Sequence, residues 1–226
     1  MSATPTAVRI APPDDAHPRE ILDHVARFYG ARICIVSSLG PQTLVILDLL
    51  HELRHTVPVF LLDTGVLFAE TYALRRRVEE HFGIEIRAVT PEAPAAEGLW
   101  ATDPARCCHL RKVAPLRDTL AGFDVWITGV RRDQSSTRAR ARILEWDEQF
   151  GLVKVNPLAH WSRAEVDDHL SARGVPTNPL LDQGYRSVGC WPCTTPVTPG
   201  GAERDGRWAG LARTECGIHR DTPGGS

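Results

Sequence analysis

The chain has 226 residues, 26 basic and 28 acidic side chains and a formal net charge of −2. That is long enough for one domain with a substantial core, and without a global basic field to recruit nucleic acid any anion site must be local. No apolar run approaches the roughly 18 residues of a membrane span. The N-terminal MSATPTAVRIAPPDD also lacks the basic-then-apolar order of a secretory signal, so a cytoplasmic address is expected.

Residues 1–17 are rich in Pro and Ala and are expected to form a loosely held arm. PREILDHVARFYG (Pro18 to Gly30) has helical spacing and stops at a glycine, and RICIVSS (Arg32 to Ser38) reads as a buried strand. Cys34 within it is expected to be a small core residue. SSLGPQT and the apolar helix TLVILDLLHELRH (Thr43 to His55) follow. A strand, a Gly-containing loop and a helix in that order point backbone N–H groups at a phosphate.

A second such unit runs through VPVFLLD (Val57 to Asp63) and the helix LFAETYALRRRVEEHFG (Leu67 to Gly83), and IEIRAV (Ile84 to Val89) adds a third strand. Residues 90–103 read as a loop, Pro104 to Leu120 as a helix, and DVWITG (Asp124 to Gly129) as a further buried strand. VRRDQSSTRARAR (Val130 to Arg142) is too polar for core, and reads as an anion- or base-contacting loop at a strand's carboxyl end, where open α/β sheets bind ligands. RILEWDEQFGLVKVNPL (Arg142 to Leu158) resembles a hairpin turning at Gly151, and SRAEVDDHLSARG (Ser162 to Gly174) is a capped helix. Alternating strands and helices predict an α/β fold with a mainly parallel sheet flanked by helices. From Val175 regular structure thins, and a long irregular segment loaded with motifs is expected to be functional.

Six cysteines are too few for a disulfide scaffold, and clustered ones in a reducing compartment more often mean metal or catalysis. Cys107 and Cys108 are adjacent, Cys190 and Cys193 form CxxC, and Cys216 stands apart. Successive helical side chains diverge by about 100°, so the adjacent pair suits a polynuclear centre better than one small ion. Four thiolates satisfy either an iron–sulfur cluster or zinc. Cys216 is then left for chemistry, and nearby cations would favour its nucleophilic thiolate. Of the 26 basic residues only Lys112 and Lys154 are lysines, so a lysine one turn after Cys108 looks selected. Arg204 and Arg207, three apart, and His219 beside Cys216 suit a polyanion such as a phosphosulfate.

With these residues assembled, the chain resembles the assimilatory adenylyl-sulfate (APS) reductases, the thioredoxin-dependent, iron–sulfur branch of the APS/PAPS reductase family. The resemblance rests on SSLGPQ, LDTGVLFAETY, CCHLRKVAPL, WITGVRRDQSSTR, KVNPLAHW, GCWPCT, ERDGRW and TECGIH. It implies an adenine-nucleotide α-hydrolase-like fold over 18–200 and a catalytic tail over 201–226. It implies a [4Fe–4S] cluster on Cys107, Cys108, Cys190 and Cys193, and a nucleophile at Cys216. Phosphosulfate contacts fall on Lys112, Arg204, Arg207 and His219, and nucleotide contacts on Gly40, Leu62, Gly129 and Arg138. Thioredoxin is the implied electron donor, and homo-oligomers are common in the family. The loop GPQ is closer to the version found in PAPS reductases, so PAPS or dual substrate use is the nearest alternative. An ATP-pyrophosphatase-type sulfur-transfer enzyme is disfavoured, because SSLGPQT lacks an SGGxDS-like loop. A zinc-stabilised binding module without catalysis is the remaining rival.

Overall fold

The computed structural model describes residues 16–92, 97–211, 213 and 215–219, so the expected N-terminal arm lies outside them except for its last two residues. A six-stranded sheet in the order β3-β2-β1-β4-β6-β5 forms the centre. Its strands are β1 (Ile33–Ser37), β2 (Val59–Leu62), β3 (Ile86–Val89), β4 (Val125–Ile127), β5 (Leu144–Asp147) and β6 (Leu152–Val155). All pair in parallel except β5, which runs antiparallel to β6. The β5–β6 hairpin turns at Gly151, whose φ of +70° lies in the left-handed region that glycine enters without cost.

Strand side chains alternate between the two faces of the sheet, and the core divides accordingly. Ile33, Ile35, Leu61 and Ile127 face one side. There they meet α1 (Pro18–Tyr29), α2 (Pro41–Glu52), α3 (Ala69–Phe82) and α7 (Arg163–Arg173). Cys34, Val36, Leu62 and Trp126 face the other side, with Leu116 and Leu120 of α6 (Ala114–Leu120) and, from the far end of the chain, Ile218. Cys34 is fully buried there as expected, and burial pushes its thiol up to about 12. α2 is buried along nearly its whole length, as a helix packed on several sides is, and its one buried acid, Asp48, pairs with His169 and Arg173 of α7.

Several boundaries differ from the sequence reading for physical reasons. α2 begins at Pro41 rather than Thr43, because proline suits a first helical position whose N–H would be unpaired anyway. α3 begins at Ala69, since Leu67 instead forms a β-bridge with Cys190 and Val66 O accepts from Trp191 N at 2.9 Å. The expected loop 90–103 contains a short helix, α4 (Leu99–Thr102), while residues 93–96 lie outside the described set. The helix expected over 104–120 is split: α5 (Pro104–Cys108) and α6 flank a π-helical segment, His109–Val113. Such π segments re-aim the side chains that follow and often mark functional sites. Arg131, in a stretch read as too polar for core, is fully buried. It is tolerated because Asp133 and Glu203 each accept from it at 2.5 Å; a buried charge needs such partners.

Candidate active site

The strand order reverses between β1 and β4: β2 and β3 lie to one side of β1, and β4, β6 and β5 to the other. In open α/β sheets the crevice outside the strand ends at such a switch point is where ligands bind. A cleft of about 1040 Å³ opens there, between the loops that leave β1, β2 and β4.

After β1, Ser37 Oγ lies 2.6 Å from Thr43 Oγ1 and accepts from Leu39 N at 3.0 Å, closing a tight loop. Gly40 then caps α2, so the positive end of that helix points into the cleft. After β4, Gly129 passes so close to the first loop that a Cβ there would lie 2.8 Å from Gln42 Cβ. Gly129 is therefore required by close approach, whereas a Cβ at Gly40 would meet only the end of the Gln42 side chain at 3.3 Å.

The C-terminal segment closes the other side. Trp208, buried, is the pivot: its backbone N–H donates to Cys193 O at 3.0 Å, and the Arg207 guanidinium stacks 4.7 Å from its ring. Arg207 also lies flat across Gly189, where a Cβ would come within 2.4 Å of the guanidinium. Glu203 accepts from the fully buried Arg131, and from Gln42 Nε2 at 3.4 Å and Gln134 Nε2 at 3.5 Å. This carboxylate thus ties the C-terminal segment to the loops after β1 and β4. His219 stacks on Trp126 with ring centroids 5.1 Å apart, and its Nδ1 is buried without a partner among the described residues. Burial, with Lys154, Arg138 and Arg204 nearby, pushes its pKa well below 6.5. His219 is therefore a neutral ring in this cleft and not a cation. Burial also brings the Arg204 pKa down to about 10, helped by Arg138.

Every substrate-contact residue expected from sequence lines this cleft. Gly40, Leu62, Gly129 and Arg138 come from the strand ends, and Lys112, Arg204, Arg207 and His219 surround Cys216. Arg138, however, is already engaged by Glu215 and Gln134. Cys216 is half-buried against the second core cluster and within electrostatic reach of Lys112, Arg204 and Cys108. Sequence reading passed over Glu203, Glu215, Gln42 and Trp126, which also line or brace the cleft. The available signal is the acid immediately before Arg204 and the one immediately before Cys216.

A second, smaller cavity of about 330 Å³ adjoins the first, and Cys107, Cys108, Cys190 and Cys193 all line it. The fold thus joins two pairs that lie far apart in sequence. The bridge from Leu67 delivers Cys190, whose Sγ sits 3.3 Å from Thr64 Oγ1. The four thiols line a common space rather than gripping one point: among the described residues no three Cys, His, Asp or Glu side chains converge as a single ion would need. Burial pushes the thiols of Cys107 and Cys193 up and that of Cys108 to about 11. Cys190 goes the other way. Its burial would raise it too, but Lys112, the Thr64 hydrogen bond and Arg207 together outweigh that. Lys112 correspondingly rises, its burial being outweighed by Cys190 and Cys216. Lys112 and Trp208 line both spaces, so one buried cation stands between the four thiols and the cleft.

Residues 32–196 match the sequence profile of the phosphoadenosine phosphosulfate reductase domain. The chain belongs to that family. The adenosine 5'-phosphosulfate reductase of Mycolicibacterium smegmatis is 42% identical over 212 residues, 91% of this chain and 89% of the relative. The phosphoadenosine 5'-phosphosulfate reductase of Gloeobacter violaceus is 40% identical over 216 residues, 91% and 90% of the two chains. Among solved structures, the phosphoadenylyl-sulfate (PAPS) reductase of Candida auris in a phosphate complex superposes with a TM-score of 0.75 at 26% identity, covering 86% of this chain and 99% of that one. The fold is adenine-nucleotide α-hydrolase-like, with its cleft at the strand ends.

Proposed function

We infer that the protein reduces adenylyl sulfate to sulfite and AMP through a sulfur-linked intermediate on Cys216. The observation that carries this reading is the company Cys216 keeps: the thiol lines one cleft with Lys112, Arg204 and Arg207, inside a chain 42% identical to an adenosine 5'-phosphosulfate reductase over most of its length.

The Cys216 thiolate attacks the sulfur of the substrate's sulfate group. The S–O bond to phosphate breaks, AMP departs with the bonding pair, and S-sulfocysteine is left. Lys112, Arg204 and Arg207 stabilise charge building on the phosphosulfate oxygens, and preformed cations in a cleft need no rearrangement at that moment. The neutral His219 packs beside the thiol on Trp126. The α2 N-terminus at Gly40 and the close approach at Gly129 form the floor for the nucleotide. A thiolate of thioredoxin then attacks the Cys216 sulfur, releasing sulfite and forming a mixed disulfide. The second thioredoxin thiol resolves that disulfide and restores Cys216. Two thiols thus supply both electrons.

Cys107, Cys108, Cys190 and Cys193 would hold a [4Fe–4S] cluster. The donor set fits: four thiols line one cavity, with Val66, Trp100, Pro192 and Trp208 as apolar walls and the buried cations Arg111 and Lys112 to offset a negatively charged centre. Bound there, the cluster supplies fixed negative charge beside Lys112 and need not change oxidation state in turnover. We place the enzyme in the cytoplasm, where thioredoxin keeps thiols reduced.

The test is mass spectrometry of wild type and Cys216→Ser after incubation with adenylyl sulfate and no thiol. Wild type gains a sulfo group on Cys216 and the variant gains none; an adduct on the variant would sink the assignment. Reduction of 3'-phosphorylated substrate is the second reading, favoured by the Gloeobacter relative's name and length match. Side-by-side rates with the two nucleotides decide it.

A further inference from the structure

The arginines of the cleft already hold a carboxylate of the chain's own. Glu215, immediately before Cys216, accepts from Arg138 Nε at 2.8 Å on one oxygen and from Arg138 Nη2 at 3.0 Å on the other. Arg204 Nη2 adds a further bond at 3.0 Å, and Thr137 Oγ1 lies 3.4 Å away. The remaining Arg138 nitrogen, Nη1, donates to Gln134 Oε1 at 2.6 Å. Each of the three Arg138 nitrogens therefore has a protein partner, and the Arg138 and Glu215 side chains are only 10% and 13% exposed.

A two-pronged arginine–carboxylate contact fixes orientation as well as distance, and this one is fused to the residue beside the thiol. The other described attachments of residues 215–219 are uncharged: Gln149 Nε2 to Gly217 O at 2.9 Å, Ile218 in the second core cluster, and His219 on Trp126. Glu215 also separates two buried guanidiniums that oppose each other, since Arg138 depresses the Arg204 pKa.

We propose that Arg138 is a positioning residue that acts through Glu215: the pair docks the segment bearing Cys216 into the cleft and sets where its sulfur stands, instead of gripping the nucleotide. This rests on Cys216 being the nucleophile. The rival arrangement has the opposite sign. If Arg138 and Arg204 waited to bind substrate together, Glu215 would compete with the phosphosulfate, and its removal would tighten binding.

The experiment is a cycle of Arg138→Gln, Glu215→Gln and the double variant in the full-length protein. The first readout is labelling of Cys216 by a bulky maleimide without substrate, located by peptide mass spectrometry. The second is kcat and KM for adenylyl sulfate. Each single variant should speed labelling and lower kcat by about tenfold, the scale of a lost charge-assisted hydrogen bond, with KM nearly unchanged. The double variant should be no worse than Glu215→Gln alone, because that variant already removes the Arg138 contact together with the one to Arg204. Arg138→Lys, which keeps the charge without the fork, should behave like Arg138→Gln; full activity in that variant overturns the two-pronged docking. Multiplying costs in the double variant, unchanged labelling, or a lower KM in Glu215→Gln would also overturn the proposal. Labelling needs no turnover, so inactivity toward adenylyl sulfate in every form, wild type included, would count against the proposed reaction and leave the docking test standing.

Discussion

The α/β body and the segment after Val175 are held together by different forces. In the body, aliphatic side chains such as Ile35, Leu61 and Leu74 are buried to within 1% on one face of the sheet. The later segment relies on charged and aromatic pairs: Glu203 on Arg131, Glu215 on Arg138, and Arg207 stacked on Trp208. Burial of apolar surface is non-directional and tolerates small shifts, whereas a forked ion pair fixes one geometry. The division suits the proposed chemistry, in which the body has only to hold three loops in place while the segment puts the Cys216 sulfur at one point. Substitutions in one region should accordingly leave the other's signature intact.

The largest separation comes from Cys216→Ser. Loss of a nucleophile commonly costs about 10⁴-fold or more in turnover, while the variant's thermal midpoint should match wild type because the half-buried thiol contributes little packing. Steady-state rates and a melting curve on the same sample check both halves. Lys112→Met comes next. It removes the cation shared by the cleft and the thiol cavity, and a lost charge stabiliser typically costs about 10²–10³-fold. The fall should appear in kcat/KM for the nucleotide; a loss confined to thermal stability would make Lys112 a structural residue of the thiol cavity.

From the body's side, Leu74→Ala should cost about 2–5 kcal/mol of stability, the range for a buried leucine truncated in a packed core. A urea titration reads that cost, and KM should be unchanged wherever the variant is folded, since α3 packs on the face of the sheet away from Trp126 and Ile218.

How far each region could be read from sequence follows the same line. Periodicity reports burial, so the strands, the Gly151 hairpin and the α7 cap at Ser162 were visible in the residues alone. The π segment His109–Val113 was not, because periodicity over five residues cannot separate π from α. The cleft-lining residues from Gly40 to His219 were found through motifs, which record residue type at a place without its partners. Hence Arg131 falls in a stretch that reads as too polar for core, although Glu203, 72 positions away, makes its burial tolerable. Likewise the motif around Arg138 carries no trace of Glu215, 77 positions away, which accepts from it at 2.8 Å. Long-range ion pairs leave no local pattern to read.

A smaller effect tests the body's local rules. Ser162 caps α7: its Oγ accepts from Glu165 N at 3.2 Å while Glu165 Oε2 accepts from Ser162 N at 2.7 Å. Ser162→Ala should cost about 1 kcal/mol, seen as a shifted urea midpoint, with unchanged kcat.

The subtlest test is pH, and it belongs to the C-terminal segment. The His219 ring is held neutral by burial, and the charges facing it, Lys154, Arg138 and Arg204, all oppose a proton there. A released His219 takes up a proton near its ordinary value of 6.5, whereas the docked ring does so only at much lower pH. Below about pH 6.5 the released form therefore binds more protons, so docking is full above that pH and weakens as pH falls toward the docked pKa. The body's aliphatic core has no such dependence. Maleimide labelling of Cys216 in wild type, divided by labelling in His219→Gln at the same pH, cancels the reagent's and the thiol's own pH dependence. That ratio should be flat above pH 6.5 and rise below it. A ratio flat across the whole range would mean that His219 plays no part in holding the segment down, and that Glu215 and Ile218 carry its docking without it.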